Sequence, residues 1–116
     1  MSIMKEPAEI GHTGEKYVEV DLQRRGYSTY RNTWQPGKVD IFAVNFGKNE
    51  RLLVQVKSSS NGKPAGLDLV EIDQITKRAQ DEGSKPVAAY VDFGGLQPIR
   101  YQLLVPNGLL SFGWQP

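Results

Sequence analysis

Apolar residues recur at helical spacing near the start of the chain, at Ile10, Tyr17, Val18 and Leu22, and predict a helix over residues 7–25. Pro7 suits its first turn, where a missing N–H costs nothing, and Gly26 stops it, while Gly11 and Gly14 weaken its first half. Residues 27–32 are rich in aromatic and β-branched types and read as a strand, followed by a loop from Thr33 to Gly37. Two apolar runs, residues 39–44 and 52–58, flank a polar segment containing Gly47 and predict a β-hairpin. After a polar stretch, apolar residues at 67, 69, 70, 72, 75 and 79 mark a second amphipathic helix over 67–82, stopped by Gly83. Residues 87–93 and 99–105 are two further strands joined through Gly94 and Gly95. The order αβββαββ predicts an α/β domain, a mixed sheet with helices packed on it. Beyond Pro106, Leu109, Leu110, Phe112 and Trp114 form an apolar tail that must cover something.

Composition narrows this picture. At 116 residues the chain is expected to be a single domain, 1–116, and 39% apolar content with a net charge of +1 excludes intrinsic disorder. The absence of cysteine excludes a disulfide framework, a thiolate zinc site and a cysteine nucleophile together. No apolar run is long enough for a membrane span or a signal peptide, so a cytoplasmic protein is expected.

The candidate chemistry lies on the hairpin. Alternation along its second strand points Gln55 and Lys57 one way and Val54 and Val56 the other. Closure about Lys48 and Asn49 would set Asp40 opposite Lys57 and Phe42 opposite Gln55, bringing Asp40, Gln55 and Lys57 to one face. On the first helix Glu15, Val18 and Leu22 lie at i, i+3 and i+7, so Glu15 borders the buried stripe and faces the sheet. Two carboxylates, an amide oxygen and an ammonium make sense together around a hard divalent cation such as Mg²⁺, with Mn²⁺ as substitute. The plainer alternatives are a Glu15 that favours its helix start through the macrodipole and an exposed Asp40–Lys57 ion pair.

Glu15 in the first helix, Val39-Asp40-Ile41 on one strand and Gln55-Val56-Lys57 on the next resemble the PD-(D/E)xK nuclease superfamily, most closely the archaeal-type Holliday junction resolvases. The similarity runs from about residue 10 to residue 106. It implies a restriction-endonuclease-like fold and a Mg²⁺-dependent homodimeric endonuclease that cuts four-way DNA junctions, with no organic cofactor. It also implies that Glu15 and Asp40 ligate the metal, that Gln55 and the Val56 carbonyl complete the ligand set, and that Lys57 is the catalytic lysine. Two positions depart from the pattern. Gln55 replaces the usual acid, removing one negative charge, as in some intron-encoded homing endonucleases of the superfamily, and Val39 replaces the proline before the first Asp.

Contacts to DNA are expected from the basic middle of the chain. Between residues 24 and 63 stand Arg24, Arg25, Arg31, Lys38, Lys48, Arg51, Lys57 and Lys63 against Asp40 and Glu50, a net +6 that the overall charge of +1 conceals. Ser58 and Ser59 are candidate phosphate contacts. Trp34, among Tyr30, Arg31 and Lys38, is suited to stack on an unpaired base or to fold back on the core. His12 reads as a solvated helix residue, and the acidic second helix, with Asp68, Glu71, Asp73, Asp81 and Glu82, as a solvated face. The rivals to a junction resolvase are a site-specific homing or restriction-type endonuclease and a non-catalytic DNA-binding module of the same fold.

Overall fold

The computed structural model describes residues 7–32, 41–59, 66–94, 98–104, 110–111 and 113–116. Along the chain run α1 (Pro7–Arg24), β1 (Ser28–Arg31), β2 (Ile41–Asn45), β3 (Glu50–Ser59), α2 (Leu69–Glu82), β4 (Lys85–Asp92), β5 (Ile99–Leu104) and β6 (Leu110–Ser111). The six strands form one sheet in chain order. Only β3 and β4 pair in parallel, because α2 carries the chain back across the sheet between them; the other neighbours are antiparallel. Relative to the predicted order, the tail adds a sixth strand, with Leu104 opposite Leu110, and Trp114 packs against the main core.

The two helices take opposite faces of the sheet. Val18 and Leu22 of α1, both fully buried, cluster with Ile41, Ala43, Val54, Val56, Ala89 and Val91. On the other face Ile72 and Ile75 of α2 pack with Ala88 and Leu104, and Ala79 packs with Leu53. Strand pleating thus sorts β3 into Val54 and Val56 beneath α1 and Leu53, Gln55 and Lys57 beneath α2. The predicted second helix began at 67; the observed one starts after Asp68, whose side chain accepts from the Glu71 N–H at 2.8 Å while Glu71 accepts from the Asp68 N–H. Leu67 and Ile72, in the same apolar cluster, brace this capping box from either side.

The hairpin closes one residue earlier than the sequence suggests. Asn45 pairs with Glu50, so Phe42 faces Leu53 rather than Gln55, and the last described pair is Ile41 with Val54. The cause is the turn. Asn49 adopts φ 52°, its N–H donates to the Phe46 carbonyl at 3.3 Å, and the Asn45 side chain accepts from the Lys48 N–H at 3.1 Å. A left-handed Asn lets the four-residue connection 46–49 close the hairpin, with its centre one residue earlier than Lys48-Asn49. The slip is two residues, an even number, so Phe42 stays on the face that Leu53, Gln55 and Lys57 share.

Gly14 has a packing role. A Cβ on it would lie 1.8 Å from Ser58 Oγ and 2.9 Å from Ser58 Cβ, so α1 rests its backbone directly on the end of β3. Ser58 Oγ is buried beneath it, without a hydrogen-bond partner among the described residues.

At the opposite end, three segments meet on one carboxylate. Tyr27 donates its hydroxyl to Glu50 at 2.6 Å, and Lys85 donates to the other Glu50 oxygen at 2.8 Å. Burial works to raise the Glu50 pKa, but hydrogen bonds from Lys85 and Tyr27 outweigh it and hold the group below its ordinary value. Burial and the Glu50 bond together push the Tyr27 phenol far above its ordinary range.

Two outcomes follow. Gly14→Ala is expected to cost about 1–3 kcal/mol through overpacking, read as a lower Tm by circular dichroism. Adding Ser58→Gly, which removes both clashing atoms, should recover part of the loss, and an unchanged Tm in the single variant would contradict the close approach. A depressed folded pKa at Glu50 means that its stabilisation is present above the unfolded carboxylate value of about 4.3 and disappears as pH falls through the lower folded value. Glu50→Gln should therefore be less stable than the parent at pH 7, with the gap narrowing in urea titrations as pH drops towards about 3. A pH-independent gap would show that the charge is not what stabilises.

Candidate active site at the end of strand β3

Past the Ile41–Val54 pair, residues 55–59 of β3 run on beside no described β2 residue, and the candidate groups gather there. Gln55 is a buried amide, 6% exposed. Lys57, two residues on and on the same face, is half-buried, and its ammonium lies 2.9 Å from a Glu71 carboxylate oxygen on α2. Across the parallel ladder Lys57 sits beside Tyr90. The Tyr90 hydroxyl donates to Gln102 at 3.2 Å, and the Arg100 guanidinium lies 5.9 Å from its ring centre. Burial pushes the Tyr90 phenol up, and the Leu67 backbone, Arg100 and Lys57 pull against it.

Glu15 approaches from the other side of the sheet. It belongs to α1, which covers the Val54–Val56 face, and Arg31 of β1 lies 3.6 Å from its carboxylate while also pairing with Glu19. The expectation that Glu15 shares a face with Gln55 and Lys57 is therefore corrected. Helical periodicity shows that a residue borders a buried stripe, but not which face of the sheet that stripe covers. Gly14, in contact with Ser58, brings α1 close to the C-terminal end of β3, and Glu15 is the next residue of that helix. Val56 packs its side chain into the α1 core. Asp40, Trp34, Lys38 and Lys63, and the side chain of His12, lie outside the described residues.

Among the described residues the basic side chains do not form one surface. Arg25 pairs with Asp21 at 2.9 Å, sits 5.3 Å from the Tyr101 ring centre, and its carbonyl accepts from Asn45 at the hairpin turn. Arg25 stands eleven positions past Gly14, just beyond the helix end, roughly 16 Å at 1.5 Å per residue, so Arg24 and Arg25 lie at the far end of the sheet from Lys57. Arg31 is held by two carboxylates. The Ser58 hydroxyl is buried beneath Gly14, and the Ser59 carbonyl accepts from the Phe93 N–H at 3.0 Å.

Glu71 is the group that sequence reasoning missed, since it was taken as one acid of a solvated face. The Asp-x-x-Glu spacing of its capping box was visible in the chain, but its meeting with Lys57 depends on where the crossover sets α2. Among the described residues no three His, Cys, Asp or Glu side chains cluster to hold a metal ion. The oxygen donors Glu15, Gln55 and the Val56 carbonyl nonetheless suit a hard cation and exclude a soft one.

The fold defines the class. It is a restriction-endonuclease-like α/β fold, a mixed sheet flanked by helices. In three dimensions the chain resembles Hjc, a Holliday junction resolvase of the archaeal hyperthermophile Archaeoglobus fulgidus, with a TM-score of 0.63 over 81% of this chain and 70% of that one, at 21% identity. In sequence it is 29% identical over 109 residues to a UPF0102 protein of Bacteroides thetaiotaomicron, spanning 90% of this chain and 84% of the relative. No protein-family model matches it. Among the described residues, no helix is long and apolar enough to cross a membrane.

Proposed function

We propose that this protein is a Mg²⁺-dependent DNA endonuclease that cuts four-way junctions as a homodimer. The observation that carries the reading is the likeness of its fold to a junction resolvase, with a lysine and a buried oxygen donor on the strand that ends beside Glu15. Glu15, Asp40, Gln55 and the Val56 carbonyl would hold the cation, which supplies a Lewis acid and an activated water when bound. Lys57 stabilises charge gathering on the scissile phosphate and orients the attacking water. Gln55 offers an oxygen without charge and cannot take a proton, so the base function falls to another group. A two-fold dimer matches the symmetry of a four-way junction.

A second reading, a DNA-binding module of nuclease fold without cleavage, is favoured by one observation: Gln55 is neutral where the nucleases it resembles carry an acid.

The test is cleavage of a labelled immobile junction beside its linear duplex arms, with Mg²⁺, Mn²⁺ or EDTA. Symmetric metal-dependent nicks near the branch point are expected, and Lys57→Ala or Asp40→Ala should lower their rate by about 10²-fold or more while binding persists. Full cleavage by either variant sinks the site assignment. Cleavage confined to duplex indicates a site-specific enzyme, and binding without cleavage by the parent chain indicates the module.

A further inference from the structure

Among its described residues the candidate site is short of negative charge. Gln55 is neutral, and Glu15 shares its carboxylate with Arg31. Yet a carboxylate stands on the Gln55–Lys57 face, delivered by α2 rather than by the sheet. Glu71 presents one oxygen to the Asp68 N–H at 3.3 Å and the other to the Lys57 ammonium at 2.9 Å. Its position is fixed from both directions, by the helix cap and by the cation. Tyr90 walls the pair on the β4 side, its hydroxyl anchored to Gln102. Other acids of α2 are exposed to solvent: Asp73, Asp81 and Glu82 on the helix and Asp68 at its cap, whereas Glu71 is half-buried.

We propose that Glu71 is a positioning residue of this site: it holds Lys57 on the Gln55 face and supplies from α2 the negative charge that β3 lacks at position 55. The proposal rests on the nuclease reading above, since it assigns the charge to a divalent cation held near Gln55. Moving an acid from strand to helix keeps the total charge of the site while changing the backbone that carries it. Gln55 then contributes a neutral oxygen without leaving Lys57 uncompensated.

The chemistry offers a clean substitution. Glu71→Gln keeps an acceptor for the Asp68 N–H, so the capping box survives and only the charge is lost. Mn²⁺ binding to the full chain, followed by electron paramagnetic resonance in the absence of DNA, is the primary readout, with Tm recorded for every variant. Glu71→Gln is expected to weaken Mn²⁺ binding by about tenfold or more with Tm nearly unchanged, and Glu71→Gln with Gln55→Glu should recover most of the affinity by returning the charge to β3. Asp68→Ala, which removes the cap side chain but leaves the Glu71 charge, should lower Tm and spare Mn²⁺ affinity.

Mn²⁺ affinity of Glu71→Gln within twofold of the parent, or no recovery in the double variant, overturns the role of Glu71 and leaves the nuclease reading intact. A parent chain that neither binds Mn²⁺ nor cleaves junctions overturns the nuclease reading, and this proposal with it.

Discussion

Strand β3 is covered on both faces, and that double coverage governs everything around it. Val54 and Val56 are clamped under α1, and Leu53 is clamped under the far end of α2. A strand held in this way cannot rotate or slip by one residue without turning valines towards α2 and polar groups into the α1 core, a cost of several buried aliphatic side chains at about 1.5–3 kcal/mol each. Gln55 and Lys57 are therefore presented at fixed positions by packing that has nothing to do with their chemistry. The parallel pairing with β4 extends the constraint, since it sets Ala88 beside Gln55 and Tyr90 beside Lys57.

That rigidity also explains the approach of α1. A helix over a twisted sheet normally stands off by the thickness of its side chains. At Gly14 the stand-off vanishes and backbone meets Ser58. That close approach falls at the end of β3 where the polar residues emerge, and Glu15 follows Gly14 in the helix. Arg31 of β1 fastens the same stretch of α1 through Glu15 and Glu19, so the first helix is tied to the sheet by packing at Val18 and Leu22 and by charge at its margin.

Much of this was legible in the chain, and what escaped did so for identifiable reasons. Apolar periodicity located both helices and all five principal strands, because each buries a stripe or a face whose spacing is its signature. The shared face of Gln55 and Lys57 depended only on pleat parity, which a two-residue slip of the hairpin leaves intact. The slip itself turned on the left-handed backbone of Asn49, a conformation that asparagine tolerates but does not announce. The side of the sheet taken by α1, the separation of Arg25 from Lys57 and the meeting of Glu71 with Lys57 are properties of how elements are stacked. Local periodicity carries no record of stacking, and a run of basic residues in sequence is divided once the chain lays them at opposite ends of the sheet. The two-residue strand β6 is too short to leave a periodic trace.

The capping box of α2 has a dynamic consequence. Its third residue is tied both to the helix start and to Lys57. Helix ends are where local opening costs least, so the first turn of α2 frays more readily than the sheet beneath it. Fraying there withdraws Glu71 and releases the Lys57 ammonium in the same event, whereas Gln55 remains locked in β3. Order in one turn of helix and the charge state presented at the strand end are thus two readings of a single local equilibrium, and whatever steadies the cap also steadies the lysine.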